Sequence, residues 1–184
     1  MPSLFYRLYI DMNDESPVTI DLISHEDYSF TLGEKFDENF PVPVKFKADP
    51  NTGERIYWPT LLLPEPVFDS RFLQVLKDSE VEPFQEFDVK ITGKTIKGEK
   101  APDTYKAINI LNIIDCFDRE QSLYEETEGM IFMDKLVLDT KKIKRNKMFR
   151  VKHLAEYIIV SQDVAKNIDK KTFPDVVLIP VMHC

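Results

Sequence analysis

One stretch constrains the fold more than any other. It is Tyr105 to Asp118, YKAINILNIIDCFD, the longest strand-like apolar run in the chain. Ile108, Ile110 and Ile114 share one parity, and Leu111 and Ile113 take the other. A strand that is apolar on both faces must be covered on both sides, so the run is expected centrally in a sheet. Asn109 and Asn112 break the pattern, one on each face. A buried amide there needs a partner, because an unpaired one costs about 1–3 kcal/mol. The run closes with Asp115, Cys116, Phe117, Asp118, Arg119 and Glu120, where the strand is expected to emerge into solvent.

The flanking chain supplies shorter elements. Leu4 to Ile10 alternates as a strand, Met12 to Ser16 reads as a turn, and Val18 to Ile23 reads as a second strand. Tyr28, Phe30 and Leu32 alternate as a third. Asp49-Pro50-Asn51-Thr52-Gly53 has turn chemistry, so Val42–Lys47 and Arg55–Trp58 are expected as hairpin arms. Trp58, the only tryptophan, is expected as a packing anchor. Leu61 to Pro66 is a connector. Asp69 or Ser70 can cap a short helix with Phe72, Leu73 and Leu76 at helical spacing.

Phe87, Val89 and Ile91 then alternate as a strand, and Thr92–Thr104 reads as an exposed loop or hairpin. Beyond the central run, Met130–Leu138 gives one or two strands, and the basic Lys141–Lys147 reads as a solvated turn. Phe149–Val151 and Tyr157–Val160 read as short strands. Ser161 can cap a second helix, and Val176–Val181 closes the chain as a strand. A weak echo links two passages, each reading helix, turn with Pro, strand: Phe72 to Val89, and Val164 to Val181. The expected class is α+β, a mixed, largely antiparallel sheet with a few short helices. Residues 1–66 form a β-rich part and 67–184 an α+β part of one compact unit.

Function classes narrow on charge. With a net charge of −8, the chain is a poor binder of nucleic acid or an anionic membrane, since both are polyanions. No segment has signal-peptide or bilayer-spanning character, so a cytoplasmic location is expected. Cys116 and Cys184 lack metal or redox spacing and are expected as reduced thiols. Asp115, Asp118 and Glu120 could hold a divalent cation, but they lack the spacing of a calcium loop, so solvated acids at a strand end are favoured. Cys116 could act with His25, His153 or His183, though a Cys after an isoleucine-rich strand reads first as core. His183-Cys184 is a metal pair weakened by terminal fraying. No phosphate loop, serine elbow or zinc helix is present, and no catalytic residue, metal or cofactor is expected.

The central run then carries a resemblance. Tyr105 through Asp118, with Glu120 and Ser122, resembles the signature of the immunity protein 11 family of bacterial polymorphic toxin systems. The resemblance runs from Phe68 to Val181. It includes Ile131–Leu138, Met148-Phe149-Arg150, Ile158–Ser161 and Pro180-Val181. It implies a non-enzymatic protein that binds a cognate toxin and occludes it. Many nucleic-acid-attacking toxins have basic clefts, so an acidic surface is the natural contact. Asp118, Glu120, Glu125, Glu126 and Glu128 are the partner-binding candidates, against a plain solvated loop. An enzyme with a carboxylate or Cys–His site and a homo-oligomeric scaffold remain the alternatives.

Overall fold

The computed structural model describes residues 4–10, 18–22, 29–50, 58–62, 66–94 and 98–184. The Met12–Ser16 turn, Tyr28, His25 and Arg55–Tyr57 lie outside them. The chain opens with β1 (Phe5–Ile10), β2 (Val18–Leu22), β3 (Val44–Pro50), β4 (Leu61–Leu62) and β5 (Val67–Asp69). Helix α1 (Ser70–Asp78) leads to β6 (Phe84–Thr92), β7 (Tyr105–Ile110) and β8 (Ile113–Ile114). Next come β9 (Leu123–Thr127), β10 (Met130–Lys135), β11 (Val137–Leu138) and α2 (Thr140–Ile143). The chain ends with β12 (Met148–Val151), β13 (Leu154–Ser161), α3 (Gln162–Asn167) and β14 (Val176–His183).

The strands form two six-stranded sheets, ordered β2-β3-β6-β7-β5-β4 and β11-β14-β1-β13-β12-β8, plus a separate β9–β10 hairpin. Most pairings are antiparallel, while β3–β6, β11–β14 and β8–β12 are parallel. The fold is therefore α+β, mostly antiparallel, with a few short helices.

Both sheets are built from one repeated unit. In each, a strand–helix–strand passage (β5-α1-β6, β13-α3-β14) leaves a gap that an antiparallel strand fills, β7 in the first and β1 in the second. The registers coincide. Ile110 lies opposite Phe84 as Ile10 lies opposite Val176, and Tyr105 lies opposite Asp69 as Phe5 lies opposite Ser161. The first helical amide is also caught alike: Ser70 N–H donates to Thr104 C=O at 3.0 Å, and Gln162 N–H to Leu4 C=O at 2.8 Å. The faint echo between the two Pro-containing passages marks this duplicated topology.

The helices meet between the sheets. Phe72, Leu73 and Leu76 of α1 join Val164 of α3 and the adjoining Ile168 and Phe173. Phe68, Ile108 and Ile110 close this core from one sheet, and Leu8, Ile10, Ile158, Val160 and Val176 from the other. The Phe72 and Phe173 rings touch edge to face at 5.3 Å. The alternation read for the first strand is seen in Leu8 and Ile10, which are buried, whereas Leu4 is exposed.

Each sheet has an outer face with its own cover. On the first, residues 29–43 lay Phe30, Phe36 and Phe40 on Phe87. This segment contains no strand, so the third strand expected at Phe30 and Leu32 is replaced by ring packing. Asn109 holds it by donating to Glu34 C=O at 2.7 Å, and Gln85 exchanges hydrogen bonds with the Phe36 main chain. The buried amide thus finds its partner.

Two further expectations change. β3 runs on through Asp49 and Pro50, and Phe46 and Lys47 pair with β2 on one side and β6 on the other. That leaves no edge there for an Arg55–Trp58 arm. The central run is two strands, not one. β7 is central in the first sheet, the chain breaks at Leu111-Asn112, and β8 joins the edge of the second sheet beside β12. Asn112 serves the crossing: its C=O accepts from Arg150 N–H at 2.9 Å and its side chain donates to Glu82 C=O.

The matched helix starts differ in chemistry. The Asp69 carboxylate accepts from Arg71 N–H at 2.9 Å, whereas the Ser161 hydroxyl makes no capping bond and is buried without a partner. Asp69→Ala should therefore cost about 1–2 kcal/mol, and Ser161→Ala close to nothing. Urea midpoints of the two variants test this asymmetry.

Candidate functional site

The end of the central run is a clamp, and it is mostly buried. Cys116 and Phe117 are core residues, not the start of a solvated tail. Asp139 N–H donates to Cys116 C=O at 2.8 Å, and Asp118 N–H to Val137 C=O at 2.9 Å. The buried Ser122 hydroxyl accepts from Val137 N–H at 2.9 Å. Residues 116–122 are thereby clipped alongside 137–139. The chain between them projects as the β9–β10 hairpin.

The hairpin turn is Glu128-Gly129. Both residues have positive φ (53° and 81°), and Thr127 pairs with Met130, as a two-residue turn of the type that matches strand twist requires. Glycine adopts this conformation freely, so Gly129 fits its position. On the inner side Ile131, Met133 and Tyr124 cover the second sheet's outer core, with Tyr124 edge-on to Phe117 at 4.9 Å. On the outer side lie Leu123, Glu125, Thr127, Met130, Phe132 and Asp134.

The acidic candidates fall into two groups. Asp118 is structural: its carboxylate accepts from Glu120 N–H at 2.9 Å, Gln121 N–H at 3.0 Å and the Cys184 thiol at 3.3 Å. These bonds, led by that from Gln121 N–H, hold its pKa below the usual carboxylate value. The clamp therefore gains from Asp118 at neutral pH and loses that gain as pH falls through the lowered pKa. Glu126 pairs with Arg119 at 3.3 Å, and the Arg119 guanidinium also lies 5.2 Å from the Phe117 ring centre. Glu120, Glu125 and Glu128 are exposed and form no ion pair among the described residues. The hairpin's apolar outer residues went unread in the sequence. The signal was there, in Glu128-Gly129 set between two strand-like runs.

The other candidate groups are not brought together. Among the described residues, no group of three or more His, Cys, Asp and Glu side chains could hold a metal ion. Cys116 makes no hydrogen bond to His153 or His183, and burial pushes its thiol up to about 12. His183 is not frayed: β14 extends to it, and it pairs with Leu138. Lys141–Lys147 is more than a solvated turn, for it forms α2, buries Ile143 and sends Lys147 to Ser79 C=O at 2.9 Å. No helix of the described residues is long and apolar enough to cross a membrane.

Both cysteines are free, Cys116 buried and Cys184 exposed. The native protein at about pH 8 should react with an aromatic disulfide reagent at Cys184 alone, and at Cys116 only after unfolding. Peptide mapping of the labelled protein checks the assignment.

No curated protein matches the chain. The immunity protein family (Imm11) matches residues 4–182, extending the likeness beyond Phe68–Val181 to both sheets and the hairpin. The chain belongs to this immunity protein family.

Proposed function

We propose that this chain neutralises a cognate bacterial toxin in the cytoplasm of the producing cell, by binding the toxin and occluding its working surface without chemistry of its own. Membership of an immunity family is the observation that carries the reading. The charge fits it. Glu120, Glu125 and Glu128 project from the clamp and hairpin of a protein with net charge −8. Unpaired surface carboxylates attract a basic cleft over a Debye length of about 8 Å at physiological salt. Asp118 and Glu126 support that surface from within, through the clamp and the Arg119 pair. Nucleic acid and anionic lipid are excluded as partners by the same charge.

The probe is the toxin domain encoded beside this gene. Its co-expression with this chain should restore growth that the toxin alone prevents. The association rate should fall at least tenfold between about 0.05 M and 0.5 M salt. Glu125→Lys with Glu128→Lys should slow association further, whereas Asp118→Asn should act mainly on stability. No binding and no rescue would overturn the reading.

A further inference from the structure

The acidic residues account for attraction but not for a lasting hold, and the hairpin supplies what they lack. Its outer side exposes Leu123 by 60%, Met130 by 57% and Phe132 by 54%. Met130 and Phe132 are successive outward residues of β10. Phe132 lies opposite Glu125 and diagonal to Leu123. Contiguous exposed apolar surface of this kind marks an interaction site more often than an accident of folding.

The duplicated fold sharpens the point. Each sheet needs a cover for its outer face, and each has one. The first cover turns Phe30, Phe36 and Phe40 wholly inward. Its exposed apolar residues, Leu32 and Val42, lie apart on irregular chain with no cross-strand neighbour. The second cover meets the same need with Tyr124, Ile131 and Met133 alone. Its outward Leu123, Met130 and Phe132 serve no packing that the fold requires.

The hairpin is also prepared in advance. The clamp fixes its base, the Glu128-Gly129 turn fixes its tip, and its inner side chains are already packed. Little order remains to be imposed when a partner arrives, which favours tight binding. The surroundings define that partner. Glu125, Glu128 and Asp134 border the apolar residues, and Lys135 is the cation beside Leu123. A second copy of this face would bring like charges together. A pocket rimmed by Lys and Arg would match it.

Resting on the immunity reading above, we infer that the outer face of the β9–β10 hairpin is the anchor of the complex. Phe132, Met130 and Leu123 enter an apolar pocket on the toxin, and the surrounding carboxylates meet a basic rim. The acids then govern association, and the apolar residues govern dissociation.

The test is binding kinetics against the toxin domain encoded beside this gene. Phe132→Ser should speed dissociation by about 30-fold or more with little change in association. Met130→Thr should act in the same direction more weakly. Thr127→Arg, which removes no buried group, should also weaken the complex by placing a cation on the face. Leu32→Ser, on the first cover, should bind as the unaltered chain does. All four should keep the unaltered melting temperature to within a few degrees. If the unaltered chain binds and Phe132→Ser and Thr127→Arg bind equally well, the anchor is elsewhere and the inference fails, while the immunity reading stands. If the unaltered chain does not bind, both fail. A dimer in sedimentation that Phe132→Ser dissolves, with toxin binding unchanged, would make the occupant a second copy and overturn the inference.

Discussion

Two helices too short to persist alone are wedged between two sheets, and the rest of the molecule follows from that burial. α1 has nine residues and α3 six, well below the length at which an isolated helix holds in water. Their apolar sides are stable because Phe72, Leu76 and Val164, with Ile168 and Phe173, fill one space shared by both sheets. Each fully buried side chain of this size contributes roughly 1.5–3 kcal/mol. The inner face of each sheet is closed by this arrangement, which leaves each outer face to be closed separately. The segment 29–43 does so on one side and the β9–β10 hairpin on the other. Variation in the covers leaves the shared core untouched, so a binding surface sits naturally on a cover.

Much of this was legible locally. The Asp69 cap, the spacing of Phe72, Leu73 and Leu76, and the alternation through Phe87, Val89 and Ile91 are all signals within a few residues, and each element formed where it was read. The errors came where distant contacts decide. Nothing in the apolar run distinguishes one long strand from two short ones in different sheets. The break at Leu111-Asn112 exists because Asn112 can hold both Arg150 and Glu82 main chain. Phe30 alternates with its neighbours as a strand residue would, but its ring packs on Phe36 and Phe87 and no ladder forms. Cys116 and Phe117 follow a carboxylate and precede another, yet the pairing of Phe117 with Leu138 draws them into the core. The duplication was faint because matched positions share a place and not a chemistry: Tyr105 with Phe5, Ala107 with Arg7, Phe84 with Val176.

The signature around the central run has a physical meaning in the fold. Asn109 ties down the first cover, and Asp118 and Ser122 tie down the base of the second. These polar residues hold main chain in place. The residues proposed to touch a partner lie beyond them, on a hairpin whose inward side is constrained by packing and whose outward side is not. Two carboxylates, Asp118 and Glu126, read as surface contacts from the sequence because a charge gives no sign of whether its partner is its own chain or another.

Hydrogen exchange of this chain, alone and saturated with the toxin domain encoded beside it, tests the account most directly. The account predicts slowed exchange at the backbone amides of Leu123–Lys135, with the α1 and α3 amides, already protected by the shared core, unchanged. Protection confined to the segment 29–43 or to the Thr92–Thr104 loop, with the hairpin exchanging as in the free protein, would contradict it.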